Sequence, residues 1–206
     1  SFNLGPTLVR WMVDYDPGTM AQIVEQSRIN FQNNGARNAM AQPYNHTILP
    51  LAPYHDKVTE IRWGIEDYSY YFGFLPSGMW LPETAVDTET LKVMAECGID
   101  FTILAPWQAN VKRELDVTQA YSIQLDAQEK LKINAFFYHG DISGRISFDP
   151  ELTSNADTFV SDVLAPQYQS ANKRSSDPQL LLVASDGELY GHHQPFRELF
   201  LERLVN

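Results

Sequence analysis

The stretch Gly78-Met79-Trp80-Leu81-Pro82-Glu83-Thr84 predicts a short apolar strand that stops at a proline and then presents a carboxylate. Residues 180–188, LLLVASDGE, repeat this pattern, because an apolar run again ends in carboxylates, Asp186 and Glu188. The carboxyl ends of buried strands are where α/β enzymes place catalytic groups. Two carboxylates that flank one bond are the minimum apparatus for glycoside hydrolysis. The competing interpretation, which the pattern alone favours, is that the acids at the ends of these two stretches cap helices that follow the strands.

Outward from these stretches, apolar runs alternate with helical patterns along the chain. Strands that alternate with helices predict parallel βαβ units, and uninterrupted apolar strands indicate a sheet covered on both faces. A doubly wound open sheet and a (β/α) barrel fit this pattern equally well. No repeat or linker divides the chain, so residues 1–206 are predicted to form a single domain. The predicted helices cover residues 7–14, 17–34, 54–74, 88–96, 153–168 and 192–205, and the predicted strands cover 78–81, 99–105, 133–138 and 180–184, with a small hairpin near 121–125.

The composition is that of an acidic globular protein. The chain has 206 residues, of which 44% are hydrophobic, and a formal net charge of −11. This charge argues against nucleic acid or an anionic membrane as a partner, because phosphate binding requires clustered Lys and Arg. No stretch of the sequence is long and apolar enough for a transmembrane helix. Cys97 is the single cysteine, so no intramolecular disulfide can form, and the expected location is the cytoplasm.

Three stretches together resemble the signatures of glycoside hydrolase family 57. Residues 78–83 (GMWLPE) resemble its third signature, whose glutamate is the nucleophile, and residues 185–193 (SDGELYGHH) resemble its fourth, whose first aspartate is the general acid/base. Residues 45–50 (NHTILP) resemble its second, centred on a histidine that contacts substrate. The resemblance implies an incomplete (β/α)7 barrel that acts on α-glucans with retention of configuration. The residues it assigns are the nucleophile Glu83, the general acid/base Asp186 and the substrate-binding His46.

Further candidates for substrate binding surround these signatures. Histidines can hydrogen-bond to sugars, and aromatic faces can stack on the apolar faces of sugar rings. The candidates are His139, His192, Trp80, Trp107, Tyr190 and Glu188. The alternative for the histidines is a loop or capping role, and for the tryptophans it is core packing, which we expect for Trp63 on its helix. Glu188 is either a partner of the catalytic acids or an acidic residue at a helix N-terminus, and the sequence leaves both open.

The chain departs from this family in its first signature. That signature, a His-Gln-Pro at the end of the first strand, is absent, since residues 193–195 (HQP) lie in the fourth signature instead. We therefore expect a fragment of the catalytic barrel that lacks the first strand and has little α-glucan activity on its own. We also expect it to self-associate through an uncompleted sheet edge, because exposed edges pair with other chains.

Other functions are open at this level. Hydrolysis, glucanotransfer and branching use the same pair of carboxylates, and the sequence does not choose among them. A non-catalytic carbohydrate-binding relative would keep the sugar contacts without turnover. A metal-dependent polysaccharide deacetylase also uses an incomplete barrel, but no Asp-Asp pair followed by a His-x-x-x-His occurs here. We therefore expect neither a metal nor another cofactor.

Overall fold

The computed structural model describes residues 1–112, 114–128, 130–171 and 178–205. The chain divides into two compact units. The first unit comprises Ser1–Ile103 and Tyr121–Ala135, and the second comprises Leu104–Ala120 and Phe136–Asn206. None of the described helices has the length and apolarity needed to cross a membrane.

The helices of the first unit begin and end where the sequence pattern predicts. They are α1 (Pro6–Tyr15), α2 (Pro17–Asn34), α3 (Tyr54–Phe72) and α4 (Thr88–Glu96). Asp16 caps α2 and Asp87 caps α4, because each side chain accepts a hydrogen bond from a backbone N–H of the first helical turn. Gly35 ends α2 in the left-handed conformation, with φ 67°, which glycine adopts without a steric penalty. The predicted boundaries of these helices are confirmed to within two residues.

Short parallel strands run through the first unit. β1 (Phe2–Asn3) pairs in parallel with β2 (Ala39–Met40). Ala41, which follows β2, forms a parallel bridge to Met79. Gly78 forms a second parallel bridge to Phe101, the first residue of β3 (Phe101–Leu104). The predicted strand at this point is therefore present only as two bridges. A Cβ at position 78 would overlap the aromatic ring of its bridge partner Phe101, so any residue other than glycine there would force the ring to shift.

A hairpin makes the sheet mixed rather than fully parallel. β4 (Tyr121–Gln124) pairs antiparallel with β5 (Lys132–Phe137), and β5 lies between β3 and β4. The backbone N–H of Asn134 donates to the Asp100 carbonyl at 2.9 Å, and the backbone N–H of Tyr138 donates to the Leu104 carbonyl. Both strands therefore advance by four residues from the first bond to the second. β3 and β5 therefore run in the same direction. The α/β class and the predicted hairpin are confirmed, although β4 departs from the parallel arrangement.

Helices dominate the second unit. They are α5 (Gly140–Phe148), α6 (Ala156–Thr158), the π-helical segment Phe159–Leu164, α7 (Ala165–Ala171) and α8 (Arg197–Val205). The strand predicted at residues 180–184 is present only as a parallel bridge between Leu182 and Tyr138. The last helix begins at Arg197 and not at His192 as predicted. Its start is delayed because Phe196 has a positive φ of 65° and follows a proline, which cannot donate a helical hydrogen bond.

Each unit has its own apolar core. The core of the first unit includes fully buried side chains from α3, α4 and the bridge segment, namely Ile61, Met79, Leu81, Val93 and Met94. The core of the second unit joins α5, the π-helical segment and α8 through Ile142, Ile146, Phe159, Leu189 and Phe200. Leu189 brings the stretch that follows Asp186 onto this second core.

Candidate active site

Glu83 is presented by a strained turn between buried neighbours. It lies in the 3-10 turn Pro82–Thr84, in which Glu83 (φ 54°) and Thr84 (φ 53°) both have left-handed backbone conformations. This conformation is uncommon for residues other than glycine and is an outlier for a β-branched threonine. Leu81 and Thr84 are buried, whereas the Glu83 side chain is 75% exposed. The buried residues on either side hold the carboxylate out into solvent.

His46 contacts this carboxylate from the preceding signature-like stretch. Its Nε2 lies 3.4 Å from Glu83 Oε1, and its own backbone is left-handed, with φ 55°. Among the described residues other than glycine, positive φ occurs at four positions, and three of them are His46, Glu83 and Thr84. Backbone strain of this kind concentrates at functional sites and costs about 1–3 kcal/mol for each residue. The fold of the first unit thus brings two sequence-predicted site residues together at a strained place.

The loop that carries His46 is fixed by a buried carboxylate on α3. Glu60 Oε2 accepts a hydrogen bond from the Asn45 backbone N–H, and its Oε1 accepts one from Asn45 Nδ2, both at 2.8 Å. The Glu60 carbonyl oxygen accepts a third from the Tyr44 backbone N–H at 3.1 Å. These bonds pair a carboxylate that burial would otherwise leave unsatisfied, and they fix the residue immediately before His46. No motif in the sequence points to Glu60.

A second buried charge on α3 holds the segment that follows Glu83. Lys57 Nζ lies 2.9 Å from Asp87 Oδ2 and 2.8 Å from Glu89 Oε2. Burial by itself lowers the pKa of Lys57, but hydrogen bonds to Glu89 and Asp87 outweigh burial and raise the pKa. Burial raises the pKa of Asp87, and hydrogen bonds from Thr90 and Lys57 bring it below its ordinary value. In the sequence, Lys57 stands out as a charged residue on the apolar face of α3, which indicates a buried charge with a partner.

Trp80 and Trp63, two tryptophans of the first unit, are both partly exposed to solvent. Trp80 is half-buried between Met79 and Leu81, which are both fully buried. Its role in sugar stacking stays a prediction. The prediction that Trp63 packs in the core is wrong, because Trp63 is 53% exposed and meets Tyr44 edge-on, with ring centroids 5.7 Å apart.

Asp186 opens a 3-10 turn of the second unit, Gly187–Leu189, from an extended backbone. Its carbonyl accepts a hydrogen bond from the Leu189 N–H at 3.2 Å, but its exposed side chain makes no capping hydrogen bond. Asp186 thus lies at the N-cap position without making the capping bond, whereas Glu83 lies inside its turn, whose N-cap is Leu81. The capping interpretation is therefore wrong for Glu83, and for Asp186 it holds for the position but not for the side-chain hydrogen bond.

Glu188, Tyr190 and His192 lie in one compact turn of the second unit. Glu188 Oε2 lies 3.4 Å from His193 Nε2, and the His193 ring stacks on His192 with centroids 4.7 Å apart. The Glu188 carbonyl accepts hydrogen bonds from the backbone N–H groups of both histidines. The Ser185 and Tyr190 hydroxyls are 2.9 Å apart. This turn therefore gathers three of the predicted substrate-binding residues around an exposed contact between a carboxylate and an imidazole.

Trp107 and His139 also belong to the second unit. Trp107 is 72% exposed, and its ring meets Tyr138 edge-on with centroids 5.9 Å apart, so it is not a core residue. Burial raises the pKa of Tyr138. His139 caps α5, because its Nδ1 accepts a hydrogen bond from the Ile142 backbone N–H at 3.3 Å. The capping alternative is thus confirmed for His139, and its Nε2 is the ring atom left to donate to a ligand.

The two predicted catalytic acids belong to different units, since Glu83 lies in the first and Asp186 in the second. Within the described part of the chain, no group of three or more His, Cys, Asp or Glu side chains is arranged so that it could hold a metal ion. Cys97 is a free thiol at the C-terminal end of α4.

Comparison with known proteins identifies similar sequences and folds. The family model described as glycosyl hydrolase family 57 matches residues 7–206. Alpha-amylase 1 of Dictyoglomus thermophilum is 25% identical over 213 residues, which cover 97% of this chain and 27% of that protein. A branching enzyme of the same family from Thermococcus kodakaraensis aligns with a TM-score of 0.72 at 15% identity, over 97% of this chain and 48% of that one. The 4-α-glucanotransferase of Thermococcus litoralis aligns with a TM-score of 0.66 at 18% identity, over 96% and 28%.

The fold is also similar to that of a deacetylase-type protein. A putative polysaccharide deacetylase from Mycobacterium smegmatis aligns with a TM-score of 0.56 at 15% identity, over 91% of this chain and 63% of that one. Identities this low show a shared fold and no more. The chain spans about a quarter of the curated relative and between about a quarter and two thirds of these solved structures.

Proposed function

The chain belongs to glycosyl hydrolase family 57, and on that premise we propose that it forms the catalytic-barrel part of a retaining α-glucan hydrolase or glucanotransferase. The barrel is an incomplete (β/α)7 barrel, and residues 1–206 act as one catalytic domain. The substrate class follows from the amylase and glucanotransferase functions named for its relatives. The substrate is an oligo- or polysaccharide, and no cofactor takes part.

In this mechanism the two carboxylates have separate tasks. Glu83 Oε attacks the anomeric carbon while the bond to the leaving oxygen breaks, and a covalent glycosyl-enzyme forms. Asp186 donates its proton to that leaving oxygen. In the second step Asp186 removes a proton from water or from an acceptor hydroxyl, which attacks the anomeric carbon and releases Glu83. A second inversion at the same carbon restores the original configuration.

The contact between His46 and Glu83 is the observation that supports this proposal most strongly. A nucleophilic carboxylate must be open to substrate and held in one orientation. Glu83 is exposed, its backbone is constrained to a left-handed turn, and His46 Nε2 lies 3.4 Å from Oε1. An imidazole in that position can donate to the carboxylate and can reach a sugar hydroxyl beside it.

The remaining predicted residues provide the sugar subsites of the proposal. Exposed or half-buried aromatic rings stack on glucose units, and side chains with free polar atoms hydrogen-bond to hydroxyls. The stacking residues are Trp80, Trp107 and Tyr190, and the hydrogen-bonding residues are His46, His139 through Nε2, Glu188 and His192.

Covalent trapping tests the nucleophile. A mechanism-based 5-fluoro-α-glucosyl fluoride should add one glycosyl group to the chain, located on Glu83 by peptide mass spectrometry. Glu83→Gln should abolish trapping and lower kcat by more than about 10³-fold, because an amide is a poor nucleophile. The matched control is Glu66→Gln, an exposed residue of α3, which should trap like the unmodified chain. Wild-type turnover by Glu83→Gln would overturn the assignment.

The same assay separates hydrolysis from transfer and from binding alone. Maltooligosaccharides give new reducing ends if water is the acceptor, and they give longer or branched chains if a sugar hydroxyl is the acceptor. Glucan binding without trapping or product would identify a non-catalytic carbohydrate-binding protein.

Two further features complete the proposal. Self-association would occur through β1, for which β2 is the one pairing strand among the described residues. Light scattering over a concentration series should show dimers or larger species, and a monomer at all concentrations would refute this part. We propose a cytoplasmic location, because a single free cysteine suits a reducing compartment.

A further inference from the structure

Helix α3 carries two buried charged residues on one face. Lys57 and Glu60 are three positions apart, so their side chains leave the helix in nearly the same direction. Lys57 is 1% exposed and Glu60 is 8% exposed, although both residue types are almost never buried without a partner. Each has partners in a different segment of the first unit, and these two segments flank the contact between His46 and Glu83.

Glu60 acts on the His46 segment. Its carboxylate holds both the backbone N–H and the side-chain amide of Asn45, and its carbonyl holds the Tyr44 N–H. The next residue is His46, whose positive φ is unfavourable unless the surrounding structure fixes it. Two consecutive residues pinned to α3 provide that constraint.

Lys57 acts on the segment that follows Glu83. Its ammonium bridges Asp87 and Glu89, while Asp87 Oδ1 also accepts the Thr90 backbone N–H at 2.7 Å and so caps α4. The start of α4 is thereby tied to α3. The turn Pro82–Thr84, which contains Glu83, lies just before this anchor, so the anchor limits the movement of its backbone on the C-terminal side.

We infer that Lys57 and Glu60 are positioning residues that hold His46 and Glu83 in contact, one from each side. The charged groups of Lys57 and Glu60 bond to Asp87, Glu89 and Asn45 and not to Glu83 or His46, so each acts through the segment that it anchors. Only the catalytic readout of this inference rests on the proposed function, whereas the structural readout does not.

The structural readout is amide hydrogen exchange in the 206-residue chain. Glu60→Gln and Asn45→Asp should each raise exchange at the amides of residues 44 and 45 by at least about 10-fold, because hydrogen bonds to a charged group are lost. The double variant E60Q/N45D should restore protection, since the new amide can donate to the new carboxylate at unchanged net charge. Glu66→Gln on the exposed face of α3 is the control and should leave exchange unchanged.

A variant that keeps the buried charge paired guards against failure to fold. Asn45→Ala removes only the amide bond to Glu60 and leaves the backbone bond in place. It should raise exchange at the amides of residues 44 and 45 while global unfolding in urea changes little. Unchanged exchange in Asn45→Ala and Glu60→Gln, with both proteins folded, would overturn the Glu60 part of the inference.

The Lys57 part has its own variant. Lys57→Met keeps the buried stem and removes the ammonium, and it should raise exchange at the Thr90 amide. Arg62→Met, at an exposed position of α3, is the control. Unchanged protection of Thr90 in a folded Lys57→Met protein would contradict an anchoring role.

The catalytic readout is the coupling to His46. Glu60→Gln should lower kcat/KM by about 10- to 100-fold in the otherwise unmodified chain. It should have little further effect when His46→Ala is already present, because its action passes through His46. If Glu60→Gln lowers kcat/KM by the same factor with and without His46→Ala, the role of Glu60 is merely structural and the inference is overturned. Failure of the proposed function and failure of this inference are distinguishable, because the exchange measurements decide whether Glu60 and Lys57 position the contact whatever the activity of the 206-residue chain.

Discussion

At the residue scale, the orientation of a reactive side chain depends on backbone conformations that its neighbours enforce. Glu83 and His46 both have positive φ, and each is flanked by residues that are buried or hydrogen-bonded to α3. Strain at these positions reduces stability, so it persists only where packing compensates for it. Substitution of the flanking residues should therefore disturb the contact even though they do not take part in it.

Asp186→Asn tests the second acid. With maltooligosaccharides, whose leaving groups need protonation, kcat/KM should fall by about 10²–10⁴-fold. With an α-glucosyl fluoride the first step should change little, because fluoride departs without a proton. The rate of fluoride release and the rate of maltooligosaccharide consumption are the two measurements. Asp141→Asn, an exposed acid in the first turn of α5, is the control, and equal losses on both substrates would contradict the assignment.

Single residues also show where sequence reasoning succeeded and where it failed. Glu83 and His46 were predicted from short signature-like stretches, and the fold brings them within 3.4 Å. Glu60 was missed, because a glutamate on a helix normally marks its solvated face. Trp63 was assigned to the core for its residue type, but α3 turns it outward, where it contacts Tyr44.

At the scale of secondary structure, the close approach of the bridge segment to β3 gives a test by substitution. A Cβ on Gly78 would overlap the Phe101 ring, so Gly78→Ala should lower the free energy of unfolding by about 1–3 kcal/mol. Gly144 in α5 has no heavy atom within 4 Å of an added Cβ, so Gly144→Ala should raise it by about 0.4–1 kcal/mol. Urea denaturation measures both. A neutral effect of Gly78→Ala would show that the ring moves freely.

The cap of α4 gives a test by pH. The pKa of Asp87 lies below its ordinary value in the folded protein, so the ionised carboxylate stabilises the fold above the unfolded pKa. This stabilisation is lost as the pH falls through the folded pKa. Asp87→Ala should therefore lower the free energy of unfolding by about 0.5–2 kcal/mol at neutral pH, and by less in acid below about pH 4.

Urea denaturation of Asp87→Ala and of the unmodified chain at both pH values measures the difference. Glu66→Ala, an exposed substitution on α3, should change stability by less than about 0.5 kcal/mol at either pH. A loss for Asp87→Ala that stays constant from neutral to acid pH would show that the charge of Asp87 contributes nothing.

Helices were predicted better than strands for a local physical reason. Caps and left-handed glycines mark the ends of α2 and α4 within a few residues of sequence, so their boundaries could be read directly. A strand forms only if its partner lies beside it. The apolar run at 180–184 therefore looked like a full strand, although the structure gives it one bridge at Leu182.

At the scale of the whole molecule, local signatures identify individual residues but not how distant parts of the chain combine. Glu83 and Asp186 each follow an apolar run, and each could be selected from its own stretch of sequence. Their assignment to two compact units depends on contacts among many residues and could not be read from either stretch. For the same reason, the alternation of strands and helices fits a doubly wound sheet and a barrel equally well. The preference for a barrel comes from the family resemblance.

Metal dependence distinguishes the proposed glycosidase from the metal-dependent deacetylase that the sequence left open. A zinc-dependent deacetylase needs three or more His, Asp or Glu ligands that converge on one point, and no such group occurs among the residues that the structure describes. A glycosidase that uses Glu83 and Asp186 needs no metal. We therefore expect α-glucan activity to survive dialysis against EDTA, with less than about a twofold change in kcat/KM, since a metal that takes part in catalysis contributes far more than that. The controls are acetate release from acetylated chitooligosaccharides and metal analysis of the purified chain. Stoichiometric zinc that is lost together with activity on chelation, or acetate release without glucan turnover, would favour the deacetylase reaction.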